Sequence, residues 1–195
     1  MPQLYAIAGT IERARFFLRA GAPVMQLRFK DRPLAPLWEE VRSWARDFPA
    51  TRIVINDDLE FAVSAGVWGA HLGQEDVRRY PPGRVAGAAV KVGISTHSDE
   101  EIALAKRYRP ALLGFGPVFA TSSKELTHAP QGVERLREVV QTSGLPIIAI
   151  GGIGEENLDQ AAATGCAYVA MIAYLDRCKT EADVKALMAR LAGMR

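Results

Sequence analysis

The chain has 195 residues, 49% hydrophobic and 24% charged, the balance of a globular domain long enough to bury a sizeable core. Lys and Arg number 24 against 22 Asp and Glu, a formal charge of +2, which excludes bulk attraction to nucleic acid or anionic membranes and makes any phosphate affinity local. The N-terminus MPQLYAIAGT lacks a basic segment followed by an apolar one, and no apolar run approaches the ~18 residues of a membrane span, so a cytoplasmic protein with neither membrane nor nucleic-acid partners is expected.

Short apolar runs at 4–8, 24–29, 52–56, 69–72, 91–95, 111–115, 146–150 and 168–172 are rich in Val, Ile and Leu. They mostly lack alternation, as strands covered on both faces do. Helical periodicity fills the intervals. Thr10 is placed to cap a helix that stops at Gly21, Ser98 and Glu101 form a capping-box pattern, and Thr180 opens the last helix. Residues 34–48 put Leu37, Trp38, Val41, Trp44 and Ala45 on one helical face, which suits packing against a sheet. The fourth helix is interrupted by Pro81, Pro82 and Gly83. Eight such units predict a single (β/α)8 TIM barrel, one domain over residues 1–195, with an open doubly wound sheet as the alternative. Residues 116–130 form a loop too long and polar for a mere connector, as binding loops often are. Cys166 and Cys178 stand in no metal-like spacing and read as reduced bystanders.

Barrel chemistry collects at the C-terminal ends of the strands. Gln26, Arg28 and Lys30 are two apart and so share one side of the second strand, a pattern that suits a multiply charged anion or, alternatively, a solvated strand end. The third strand ends in Asn56-Asp57-Asp58 and the fourth runs into His71-Leu72-Gly73-Gln74-Glu75-Asp76. Asp57 and Asp76 thus face one mouth, where they either pair with the nearby cations or hold Mg²⁺ against a diphosphate. Ser95 can donate to phosphate; His97 is either an acid/base group or a structural histidine, and His71 reads as structural. Thr121, Ser122, Ser123 and Lys124 lie in the long loop and make a candidate phosphate clamp. Glycines 151, 152 and 154 follow the seventh strand, where a barrel's backbone N–H groups commonly meet phosphate.

These blocks together resemble the thiamine-phosphate synthase family, also called thiamine-phosphate pyrophosphorylase. The matching segments are QLRFKDR (26–32), IND (55–57), HLGQED (71–76), GISTHS (93–98), GFGPVFATSSK (114–124), APQG (129–132) and AIGGI (149–153). HLGQED and the GPVF…T…K loop are specific; AIGGI recurs in many phosphate-binding barrels. The resemblance implies a Mg²⁺-dependent transferase joining an aminopyrimidine-methanol diphosphate to a thiazole phosphate, with loss of pyrophosphate. It also implies that Gln26 contacts the aminopyrimidine, that Arg28, Lys30, Asn56, Ser95 and Lys124 hold the diphosphate, and that Asp57 and Asp76 bind the metal. Thr121 and Ser123, with the chain at Gly152, Ile172 and Ala173, would hold the thiazole phosphate. Arg28, Lys30, Ser95 and Lys124 would act on the reacting groups. Two departures stand out: Ala173 where the family usually has serine, and Ser123 in place of threonine. A thiazole tautomerase using His97, or a non-catalytic phosphate-ligand barrel, are the competing readings; the retained Asp57, Asp76 and Lys30 weigh against both. The sequence leaves the oligomeric state open, a homodimer being allowed.

Overall fold

The structure, a computed structural model, describes residues 1–29, 33–121 and 129–194. Its eight apolar runs are parallel strands: β1 (Gln3–Ala8), β2 (Val24–Leu27), β3 (Arg52–Asn56), β4 (Gly69–Leu72), β5 (Lys91–Thr96), β6 (Leu112–Phe115), β7 (Ile147–Ile150) and β8 (Tyr168–Ala170). Each pairs with the next in chain order, and β8 closes onto β1. The alternative of an open sheet is thereby excluded.

Two apolar layers explain why the strands show no alternation. Leu4, Ala6, Met25, Leu27, Ile53 and Ile55 point outward and join the helices in one core. Their strand neighbours Tyr5, Val24 and Val54 point inward and meet Leu112, Ile148 and Ala170 in a second core inside the barrel. A strand buried on both faces has no polar side to show. Truncating a fully buried residue such as Ile55 to alanine would cost about 2–5 kcal/mol in either layer.

The helices are α1 (Ile11–Ala20), α2 (Trp38–Asp47), α3 (Leu59–Ala65), α4 (Gln74–Val77), α5 (Pro82–Ala86), α6 (Asp99–Lys106), α7 (Val133–Thr142), α8 (Leu158–Ala162), α9 (Ile172–Arg177) and α10 (Glu181–Gly193). Their caps follow local chemistry. Thr10 accepts from the Arg13 N–H, and Gly21 ends α1 in the left-handed region. Asp58 caps α3, and Thr180 with Asp183 forms a complete capping box on α10. Ser98 accepts from the Glu101 N–H, but the Glu101 carboxylate turns to His97 instead of closing the box. Before α2, Pro36 leaves a single 3-10 turn (Ala35–Leu37), so the helix expected over 34–48 starts at Trp38. The interrupted fourth helix is split into α4 and α5, the latter starting at Pro82, where a missing N–H costs nothing.

Two strands stop two residues short of expectation. β2 stops at Leu27 rather than at 29, because β1 turns away after Ala8; the Arg28 N–H donates a last bond to the Ala8 carbonyl (2.9 Å). β8 stops at Ala170, its last partner being Ile150, beyond which β7 turns at Gly151 (φ 98°). Ile172 therefore does not end a strand but opens α9, with Ala173 next to it.

Candidate active site

A pocket opens at the C-terminal mouth of the barrel. Its polar lining is Tyr5, Gln26, Arg28, Asn56, His71 and Ser95, and Ile7, Ile148, Ile150 and Ile172 form aliphatic walls around Gly114. Apart from Arg28, just past β2, and Ile172, at the start of α9, these residues occupy inward positions on different strands, so the period-two rule brings them together from across the chain. Gln26 is buried, 3% exposed, and the Tyr5 hydroxyl is buried with no hydrogen-bond partner among the described residues. His71 lies inside the barrel with its Nε2 hydrogen-bonded to Ser95 Oγ (2.9 Å). Its imidazole fits only because the neighbouring strands carry glycine: a Cβ at Gly93 would sit 2.6 Å from His71 Nδ1, and one at Gly114 would sit 3.2 Å from Cε1. The sequence reads His71 as structural; the structure also makes it part of the pocket lining. Tyr5, equally missed, gave no signal beyond an aromatic in an apolar strand. Gln74 was also missed: its amide donates to the Ser95 carbonyl (2.6 Å), fixing the chain that carries the Ser95 hydroxyl.

Above this floor stand the two acids. The Asp57 N–H continues the β3–β4 ladder by donating to the His71 carbonyl (2.8 Å), and φ of 65° then turns the chain. Asp76 sits on α4, its side chain 17% exposed, and is paired with Arg79 at 3.0 Å. The carboxyl groups of Asp57 and Asp76 lie close enough for one to hydrogen-bond the other. Burial, followed by the charge of Asp76, raises the Asp57 pKa from 3.8 to about 6, while Arg28 and the Gly73 N–H pull it down. Two hard oxygen donors held against their mutual repulsion fit a divalent cation. Among the described residues no third His, Cys, Asp or Glu joins them, so a cation here would need substrate or water oxygens to complete its shell. That is the habit of Mg²⁺ bound with a diphosphate.

The other side of the mouth is built from the turn after β7 and the base of the long loop. The Val118 and Phe119 N–H groups donate to the Ile150 and Gly151 carbonyls, both at 2.9 Å. The two feet of that loop are tied to each other, Gln131 N–H to the Pro117 carbonyl (2.8 Å) and Gly132 N–H to the Val118 carbonyl (2.9 Å). Gly152 has φ of 65° and packs so closely on the loop base that a Cβ would meet the Ala120 carbonyl oxygen at 2.3 Å. Thr121 is partly buried. Lys30, Ser123 and Lys124 lie outside the described residues. Ala173 is exposed at the start of α9, beside Ile172. His97 does not line the pocket; its N–H and its Nδ1 both meet Glu101 Oε2, at 2.6 and 2.9 Å, and its carbonyl accepts from the Gln131 amide.

No described helix is long and apolar enough to cross a membrane. The family model described as thiamine monophosphate synthase matches residues 4–175. The thiamine-phosphate synthase of Neisseria meningitidis serogroup B is 36% identical over 191 residues, 96% of this chain and 93% of that protein. That of Photorhabdus laumondii is 35% identical over 180 residues, 90% of this chain and 83% of that protein. Among solved structures, the thiamine phosphate pyrophosphorylase from Pyrococcus furiosus superposes with a TM-score of 0.80 at 26% identity, covering 97% of this chain and 94% of that one. Barrel, mouth and relatives agree, and the chain belongs to the thiamine-phosphate synthase family.

Proposed function

We propose that this enzyme condenses 4-amino-2-methyl-5-hydroxymethylpyrimidine diphosphate with a hydroxyethylthiazole phosphate in the pocket above His71, giving thiamine phosphate and pyrophosphate. The observation that carries the residue-level reading is that Arg28, which lines an amide-bearing, partly aliphatic pocket, also acts by its charge on the Asp57 of the Asp57–Asp76 pair. The Gln26 amide both donates and accepts, the complement of an aminopyrimidine edge. Being buried, it is worth more there than at the surface.

In the reaction the methylene–oxygen bond breaks and its electron pair leaves with pyrophosphate; the ring amino group feeds electrons into the methylene cation, which the thiazole nitrogen then captures. No nucleophile or strong base is needed. What the chain must supply is charge compensation and alignment. Arg28 and Ser95 would hold the departing oxygens, joined by Asn56 and, by family position, by Lys30 and Lys124. Asp57 and Asp76 would hold Mg²⁺, which supplies charge neutralisation to the leaving group when bound. The Ile7, Ile148, Ile150 and Ile172 walls keep water from the cation. The thiazole phosphate would rest on Thr121, Ser123 and the backbone at Gly152, Ile172 and Ala173. We place the enzyme in the cytoplasm, with small-molecule substrates only and a homodimer as an allowed assembly.

The test is direct. Purified protein should release pyrophosphate from the pyrimidine diphosphate only when both Mg²⁺ and a thiazole phosphate are present. Failure to form thiamine phosphate under those conditions, with thiazole tautomerisation observed instead, would overturn the proposal.

A further inference from the structure

A turn that binds an anion must show it N–H groups and turn its carbonyls elsewhere. The segment Gly151–Gly154 meets that requirement through one side chain that the pocket does not include. Asn157 stands just before α8, where a capping side chain would bond forward into the helix; it makes no such bond. It reaches back instead. The Gly154 N–H donates to Asn157 Oδ1 (2.8 Å), and Asn157 Nδ2 donates to the Gly152 carbonyl (2.9 Å). The Gly151 carbonyl is held separately by the Phe119 N–H. Within the described residues the only cis peptide is Gly116–Pro117, so the peptides after Gly151 and Gly152 are trans. In a trans peptide the N–H points opposite to its C=O. Tying back the Gly151 and Gly152 carbonyls therefore sets the direction of the Gly152 and Ile153 N–H groups.

We infer that Asn157 is the positioning residue of the second phosphate site, fixing the Gly152–Ile153 peptide so that its N–H faces phosphate; this rests on the synthase reading. Only a side chain with both a donor and an acceptor satisfies the two bonds. Alanine satisfies neither. Aspartate keeps the bond from Gly154 but sets a carboxylate against the Gly152 carbonyl and near the incoming phosphate.

The test is steady-state kinetics with each substrate varied while the other saturates. Asn157→Ala should raise KM for the thiazole phosphate roughly tenfold, about the worth of one hydrogen bond, and leave KM for the pyrimidine diphosphate unchanged. Asn157→Asp should raise the thiazole-phosphate KM further. An unchanged thiazole-phosphate KM, or equal rises in both constants, would overturn the inference. Titration with inorganic phosphate, followed by the amide resonances of Gly152 and Ile153, gives a second reading independent of turnover. Those resonances should shift in the wild-type protein and not in the variants; no shift in the wild type would also overturn it. If the wild type makes no thiamine phosphate, the synthase reading fails by itself, and the titration still decides the role of Asn157.

Discussion

Replacing Asp57 by asparagine should make the metal-free protein more stable while removing the Mg²⁺-dependent turnover proposed above. The residue sits at φ of 65°, a left-handed conformation that asparagine tolerates as well as aspartate does, so the backbone gives no penalty. What changes is charge. The Asp57 carboxyl titrates near 3.8 in an unfolded chain and at about 6 in the fold, held up by burial and by Asp76. At about 1.4 kcal/mol per pH unit, ionising it in the fold would cost about 3 kcal/mol if solvent did not intervene. Asp57 is exposed to solvent along much of its surface, and screening reduces this to about 1 kcal/mol. The sign follows from linkage: with the folded pKa raised, the stability is fully present below pH 3.8 and is lost as pH rises through about 6. Asp57→Asn removes that loss. Differential scanning calorimetry in EDTA should therefore show equal melting temperatures for the two proteins near pH 4 and an advantage for the variant of about 2–4 °C at pH 7. Adding Mg²⁺ at pH 7 should raise the melting temperature of the wild type and not that of the variant. A variant less stable than wild type at pH 7 in EDTA, or an advantage that does not depend on pH, would refute the account of a repelling acid pair.

Tyr5→Phe deletes a buried hydroxyl without a partner among the described residues and should stabilise the ligand-free protein by about 1 kcal/mol in urea denaturation. Ala173→Ser restores a hydroxyl at the start of α9 and should lower the KM for the thiazole phosphate about fivefold in steady-state assays, as one added hydrogen bond allows. Thr180→Ala breaks the capping box of α10, outside the residues that line the pocket; it should cost about 1 kcal/mol in the same denaturation while kcat stays unchanged. Asp76→Asn should abolish Mg²⁺-dependent pyrophosphate release with the circular dichroism spectrum preserved, and full activity would exclude Asp76 as a metal ligand.

The barrel was legible because its strands are buried twice over, and that leaves a mark on each strand separately: an apolar run with no polar face. Where a strand ends is another matter. The stop of β8 at Ala170 depends on β7 turning at Gly151, a fact of the neighbour and not of the segment 168–172 itself. The acids Asp57 and Asp76 could be placed in one mouth from strand order alone, but their close approach required the short α4 to fold Asp76 back toward β3. Tyr5 was hidden because an inward aromatic and an outward one look alike until the register of β1 is known. Asn157 was hidden for a related reason. An asparagine before a helix has two uses, forward cap and backward tie, and only the conformation of the preceding glycines selects between them.

The knotting together of the loop's feet at Pro117–Gln131 and Val118–Gly132 has a consequence for how this mouth can change. With both ends pinned to each other and to β7, the stretch between them is a closed excursion whose length matters little to the barrel; doubling it would cost only about 0.6 kcal/mol in closure entropy. The segment between these anchors is thus an exchangeable cassette. Segments of other lengths and other charges could be spliced between the same two anchors, leaving the strands, the acid pair and the turn after β7 untouched.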